Sequence, residues 1–321
     1  MNAGSDRKSS RERIDTHTHV VPPDYLAWLR ANRDYGGAVV DWNVDAALEA
    51  MDSKGIATAI LSVSSPSVRW GPGDDPVQVR KLARAVNEFC GELVRADPGH
   101  FGFFATVTLP DLDGSLEEAR YALDDLGADG VIVLGNVDGV YVGAPQWDPL
   151  MQLLDDRASV LFIHPTALPG PPVEGITAGV VDFLADSTRA AVNLVKHDCP
   201  RRYSRLRILL SHGGGFVPFA AARIASMISR EADEADVLAQ LRTFYFDTAL
   251  TGPYALPSLL AFADLEHVTY GSDWPYEFRP DQSRRFTEGL DAFDLTGEQR
   301  HAIDRGNAER LFPRLARVRS S

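Results

Sequence analysis

Short apolar runs alternate along the chain with longer stretches in which apolar side chains return every three or four positions. The runs at 58–63, 103–107, 131–134, 160–163, 206–210, 244–247 and 268–270 are bounded by Gly, Pro, Ser or Asp. Being apolar on successive residues, they fit parallel strands buried on both faces. Another strand precedes them, led by Ile14 and ending at His17 and His19. Helical spacing fills the intervals at 45–54, 76–95, 115–126, 149–156, 180–196, 218–229 and 236–243, and most of the chain from 274 to 317. In the longest helix Val79, Leu82, Val86, Phe89 and Leu93 share one side, and Pro76 suits its first turn. Gly55 suits the end of the helix at 45–54, and Ser115 with Glu117 and Glu118 the start of that at 115–126. Eight strands alternating with helices, without a linker or a low-complexity repeat, predict one (β/α)8 TIM barrel over 14–321. An open doubly wound sheet would need a Gly-x-Gly-x-x-Gly turn after its first strand, and none is there.

Two segments fall outside this alternation. Residues 1–13 are polar and charged and lack the apolar stretch of a secretion signal, so a disordered tail and a cytoplasmic location are expected. Residues 22–43 carry Tyr25, Trp28, Tyr35, Trp42 and two glycines. They predict a long substrate-covering loop at the barrel mouth, with a short helix over 25–30. No apolar run is long enough to span a bilayer.

Charge narrows the partners. Asp plus Glu number 45 against 32 Lys plus Arg, a net charge of −13, which argues against nucleic acid or an anionic membrane as the main partner. A small anionic substrate remains compatible, held by locally placed arginines. The two cysteines, Cys90 and Cys199, match no metal spacing and read as reduced thiols.

The polar residues at the strand ends carry the chemistry. His17 and His19, two apart in a strand, point to the same side. His164 follows the fifth strand, His212 the sixth and Asp273 the eighth. In a barrel these ends converge on one mouth. Three imidazoles and a carboxylate suit one divalent ion, Zn2+ or Mn2+, with a position left open for water or substrate. One such histidine alone would more often be a core residue, and His100, His197, His267 and His301 are taken to be core or solvated residues. Five ligand-type residues at four matching strand ends favour a metal site.

The motifs Ile14-Asp15-Thr16-His17-Thr18-His19, Phe162-Ile163-His164-Pro165, Leu210-Ser211-His212-Gly213-Gly214-Gly215 and Tyr270-Gly271-Ser272-Asp273-Trp274-Pro275 resemble the amidohydrolase superfamily. Within it they are similar to metal-dependent decarboxylases related to aminocarboxymuconate-semialdehyde and gamma-resorcylate decarboxylases. The stretch from Val181-Asp182-Phe183 to Ser187-Thr188-Arg189-Ala190 resembles the 6-methylsalicylate decarboxylase-like members. The resemblance implies His17, His19, His164 and Asp273 as metal ligands and His212 as the acid/base. It implies one metal, Zn2+ first, because the fourth strand ends in Leu134-Gly135-Asn136 without the lysine that bridges two metals in binuclear members. It also implies a homodimer or higher oligomer, since Arg223, eleven residues after His212, matches an arginine that reaches a neighbouring subunit's substrate. A second substrate arginine belongs near Trp42, where this chain has Val40, a departure that argues against the semialdehyde substrate; Arg69 on the next loop is the replacement candidate.

The function expected is non-oxidative decarboxylation of a small ortho-hydroxybenzoate-type acid, with Asp273 or His212 delivering the proton. Mouth-side aromatics (Trp28, Tyr35, Trp42, Trp70, Trp274, Tyr276, Phe278) favour a flat aromatic substrate. The alternative is hydrolysis of an amide or lactone with the same ligands.

Overall fold

The computed structural model describes residues 12–31, 39–171, 173–228, 233–276 and 289–318. The tail predicted over 1–13 lies almost wholly outside them, as do Tyr35 and Phe278. Among the described residues ten strands occur in chain order: β1 (Arg13–His19), β2 (Ile56–Ser62), β3 (Phe101–Thr106), β4 (Gly130–Leu134), β5 (Asn136–Val137), β6 (Val140–Tyr141), β7 (Val160–His164), β8 (Arg207–Leu210), β9 (Tyr245–Asp247) and β10 (Val268–Thr269). Eight of them form one sheet in the order β1-β2-β3-β4-β7-β8-β9-β10, every adjacent pair parallel. The seam between β10 and β1 is drawn together by backbone bonds from Thr16 N to Tyr270 O (2.9 Å), Asp273 N to His17 O (2.8 Å) and His19 N to Trp274 O (2.7 Å). The predicted (β/α)8 barrel is thus the observed architecture.

The strands form where expected because they are buried on both sides. Ile14, Ile60, Phe104, Ile132, Phe162 and Leu209 pack together with Leu311, Phe312 and Leu315 from the C-terminal helical turns. Phe104 stacks on Phe162 at 5.0 Å and meets Phe312 edge-on at 5.8 Å. Each such side chain contributes about 1.5–3 kcal/mol by burial, so this cluster gives the metal-side residues above it a rigid base. A larger apolar layer joins the outward faces of the strands to the helices.

Helices α1 (Pro23–Ala31), α2 (Val44–Lys54), α3 (Pro76–Ala96), α4 (Leu112–Asp124), α5 (Asp148–Asp156), α6 (Asp182–Lys196), α7 (Cys199–Arg202), α8 (Val217–Ile228), α9 (Glu234–Arg242) and α10 (Gly252–Phe262) surround the sheet. Gly55 closes α2 at φ 68°, as its position predicts. The start of α4 differs from expectation: Asp111, not Ser115, caps it by accepting from Gly114 N, and Ser115 is buried with its hydroxyl donating to Asp111 O. Besides the single turn of α7, two features are additional. β5 and β6 make a small antiparallel hairpin beyond β4, and α10 forms despite Pro257 in its interior.

Candidate metal centre and active site

At the upper end of β1 the pairing with β2 shifts register between Asp15 and Thr18. Asp15 fixes the chain there. Its Oδ1 accepts from His17 N (3.0 Å) and Ser272 N (3.1 Å), and its Oδ2 from the Ser272 hydroxyl (2.5 Å). Burial pushes its carboxyl up to about 7 against these donors.

His17, His19, His164 and Asp273 come together as predicted. All four are buried, and they offer donor atoms that lie within 4.8 Å of one another. His17 Nε2 is 3.2 Å from His19 Nε2, and Asp273 Oδ1 is 3.3 Å from the first and 3.0 Å from the second. The other nitrogen of each ring faces outward onto an acceptor. His17 Nδ1 donates to Asp247 Oδ2 (2.8 Å), His19 Nδ1 to the Ser62 carbonyl (3.2 Å) and His164 Nδ1 to the Pro165 carbonyl (2.9 Å). Because those acceptors require a proton on Nδ1, each neutral ring turns an unprotonated Nε2 inward, the arrangement by which protein scaffolds present imidazole to a metal. Two ligands about 2.1 Å from a tetrahedral ion would stand about 3.4 Å apart, close to these separations. The donor set fits one divalent cation.

The electrostatics follow from crowding in a dry site. Burial, reinforced by the neighbouring rings, drives His164 well below the ordinary histidine range, and burial also lowers His19. Burial would lower His17 too, but Asp247 and Asp273 outweigh it and push the ring up to about 10. Burial opposes ionisation of Asp273, yet His17, His19 and His212 hold it well below the usual carboxylate range.

His212 sits at the start of a turn in which it and the three following glycines all have positive φ. The turn needs glycine: a Cβ on Gly214 would press into the Phe246 ring, and one on Gly215 into the Leu184 carbonyl. This backbone carries His212 N to Asp247 Oδ1 (2.9 Å) and His212 Nε2 to within 3.3 Å of Asp273 Oδ2. Its Nδ1 is buried with no hydrogen-bond partner among the described residues.

Next to the cluster a cavity of about 420 Å³ opens at the ends of β2, β3, β4 and β7. Arg69 and Trp70 line it. Tyr276 lies 5.4 Å from His19 and Phe183 6.3 Å from His164, ring to ring. Trp42 is elsewhere: its ring packs edge-on against Phe89 of α3 at 6.0 Å and is not part of the cavity lining. Arg223 is exposed on α8 and is not among the residues that line this cavity. Asp247, fully buried, was not singled out in the sequence although it touches both His17 and His212. The signal available was an acid at a strand end, Phe246-Asp247.

A family model described as amidohydrolase matches residues 14–314. Decarboxylase yanB of Aspergillus niger is 34% identical over 95% of this chain and 88% of its own length. A 6-methylsalicylic acid decarboxylase of Penicillium expansum is 34% identical over 94% of this chain and 97% of its own. A crystal structure of an amidohydrolase II superposes with a TM-score of 0.86 at 31% identity, covering 94% and 99% of the two chains. A 2,6-dihydroxybenzoate decarboxylase structure shares the fold, with a TM-score of 0.77 at 23% identity over 94% and 99%. Matched by a family model over nearly its whole length, the chain belongs to the amidohydrolase family.

Proposed function

We propose that this chain is a mononuclear metal-dependent carboxy-lyase that removes carbon dioxide from a small ortho-hydroxybenzoate-type acid without oxidation. What carries the proposal is that two relatives named as decarboxylases match almost the full length of the chain at 34% identity, while His17, His19, His164 and Asp273 make a donor set that can hold the metal. Zn2+ is the ion proposed first, with Mn2+ as the alternative, which two related decarboxylase structures contain. When bound, the ion would hold the carboxylate and the ortho hydroxyl together and stabilise phenolate charge.

The remaining work falls to the chain. An aryl carbanion is too unstable to be released, so the ring carbon bearing the carboxylate is protonated first. Asp273 Oδ2 and His212 Nε2, 3.3 Å apart, form the proton relay to that carbon. The carbon–carbon bond then breaks, its electrons restore the aromatic ring and carbon dioxide leaves. Tyr276 and Phe183 supply flat walls beside the histidines.

The same reading covers assembly and location. Residues 14–321 are taken as one barrel domain, working in the cytoplasm. Phe219 (85% exposed), Arg223 and Met227 (66% exposed) follow one another at four-residue spacing on α8. That apolar stripe around an arginine supports a homodimer in which Arg223 reaches the partner's cavity.

The test is incubation of metal-analysed protein with 6-methylsalicylate and 2,6-dihydroxybenzoate, following carbon dioxide and the phenol formed, with His212→Ala as control. Release that depends on both metal and His212 supports the proposal. A metal-loaded protein that releases none across such acids, but opens lactones or amides, would be a hydrolase.

A further inference from the structure

Arg69 is not free to hold a substrate carboxylate. Its Nη1 and Nη2 donate to Asp138 Oδ1 (3.2 Å) and Oδ2 (3.0 Å), a bidentate pair across the cavity from the loop after β2 to the β5–β6 hairpin. Asp138 and Gly139 form the hairpin's two-residue turn, both at positive φ, so the carboxylate is presented by a fixed backbone. The Arg69 side chain is 14% exposed and that of Asp138 38%, so the guanidinium lies against the cavity wall while its partner carboxylate reaches the rim.

Two other polar side chains of the wall, Asn136 and Thr166, are engaged as well. Asn136 donates to Asp186 Oδ1 (2.8 Å) and accepts from Gly139 N (3.0 Å), and the Thr166 hydroxyl meets that of Ser65 (2.9 Å). Val107, Leu109, Ile132, Leu134 and Trp70 supply apolar surface. The cavity adjoins the metal cluster, since Leu134 lies opposite His164 in the β4–β7 register.

We propose that the Arg69–Asp138 pair makes this cavity a charge-neutral subsite that accepts monoanionic aromatic acids with uncharged ring substituents and rejects those with a second carboxylate. The inference rests on the decarboxylase reading and names the substrate class within it. A second carboxylate entering here would have to displace Asp138 from Arg69 or lie against the apolar surface of Val107, Leu109, Ile132 and Leu134. A methyl group or a bare ring edge meets neither obstacle.

The experiment compares 6-methylsalicylate with 4-hydroxyisophthalate, a salicylate bearing a second ring carboxylate. Binding is read by quenching of tryptophan emission, because Trp70 lines the cavity, and turnover by carbon dioxide release. In the native protein the methyl acid should bind tighter by roughly 100-fold, the cost of a desolvated unpaired carboxylate. Asp138→Asn, which tolerates the left-handed turn, exposes Arg69 and should reduce that preference by roughly tenfold or more. Arg69→Met leaves Asp138 alone and should increase it. Equal binding of the two acids by native protein, or variants that leave the preference unmoved or move it in the same direction, would overturn the inference. If neither acid loses carbon dioxide, the decarboxylase reading fails, and the binding ratio still decides the charge argument.

Discussion

Asp247→Asn tests how the metal centre is built. The native carboxylate accepts three hydrogen bonds while fully buried: from His17 Nδ1 (2.8 Å), His212 N (2.9 Å) and Ala249 N (2.9 Å). An asparagine can keep its oxygen towards either the two backbone N–H groups or the imidazole. Facing its NH2 towards the backbone pair would leave two buried donors unsatisfied, at about 1–3 kcal/mol each. Facing the NH2 towards His17 keeps both backbone bonds and only reverses the third, so that orientation wins. His17 must then accept at Nδ1 and carry its proton on Nε2, where the metal requires a lone pair. Loss of such an outer partner weakens metal affinity by roughly 10–100-fold, or about 1.4–2.8 kcal/mol. Chelator competition with Zn2+ or Co2+, on protein whose near-ultraviolet circular dichroism is native, measures it. A folded variant that binds metal within about twofold of native would refute the tautomer argument.

Three further outcomes are expected. Below pH 10 the metal-free protein keeps a proton on His17, pushed up to about 10 because Asp247 and Asp273 outweigh burial. Metal binding expels that proton, so apparent affinity rises with pH up to that value and levels off above it. Calorimetry at pH 7 in buffers of different ionisation enthalpy should show about one proton released per ion from this ring, and no net release would contradict the assignment. Gly215→Ala places a Cβ against the Leu184 carbonyl at φ 64°, so urea denaturation should register a loss of at least about 2 kcal/mol. Mixing inactive Arg223→Ala and His212→Ala proteins should restore carbon dioxide release if Arg223 serves the partner subunit; mixtures as inactive as the separate variants argue against a shared site.

His164 was legible because it directly follows an apolar run, Asp273 because it stands three residues past one, and His17 and His19 because residues two apart share a strand face; the barrel topology turns position at a strand end into position at the mouth. Asp247 occupies an equivalent place at the end of β9, yet an acid there is unremarkable until the fold brings His17, 230 residues away, against it. The hairpin at Asn136–Val137 and Val140–Tyr141 had a usable signal in Asp138-Gly139, but strands of two residues show no period. α10 was hidden by Pro253 and Pro257, which read as breakers although the first lies in the opening turn, where no N–H is needed. Trp42 illustrates the opposite error. A large aromatic in a mouth-side segment suggested substrate contact, but against Phe89 it serves packing between the loop and α3. Pairing of Arg69 with Asp138 was likewise invisible, because it depends on which two loops meet.

The seam of the barrel has a consequence for how the chain matures. His19 and Asp273, whose atoms meet at 3.0 Å, stand 254 residues apart, on the first strand and just past the last. A chain emerging from the ribosome therefore carries all of its histidine donors long before it can assemble the cluster. An ion held by both sides would act as a clasp, adding its binding energy only once the cylinder has shut. Loss of that ion would loosen the molecule first where its two ends meet, and backbone amide exchange would accelerate along β1 and β10 before it reached β4 or β7.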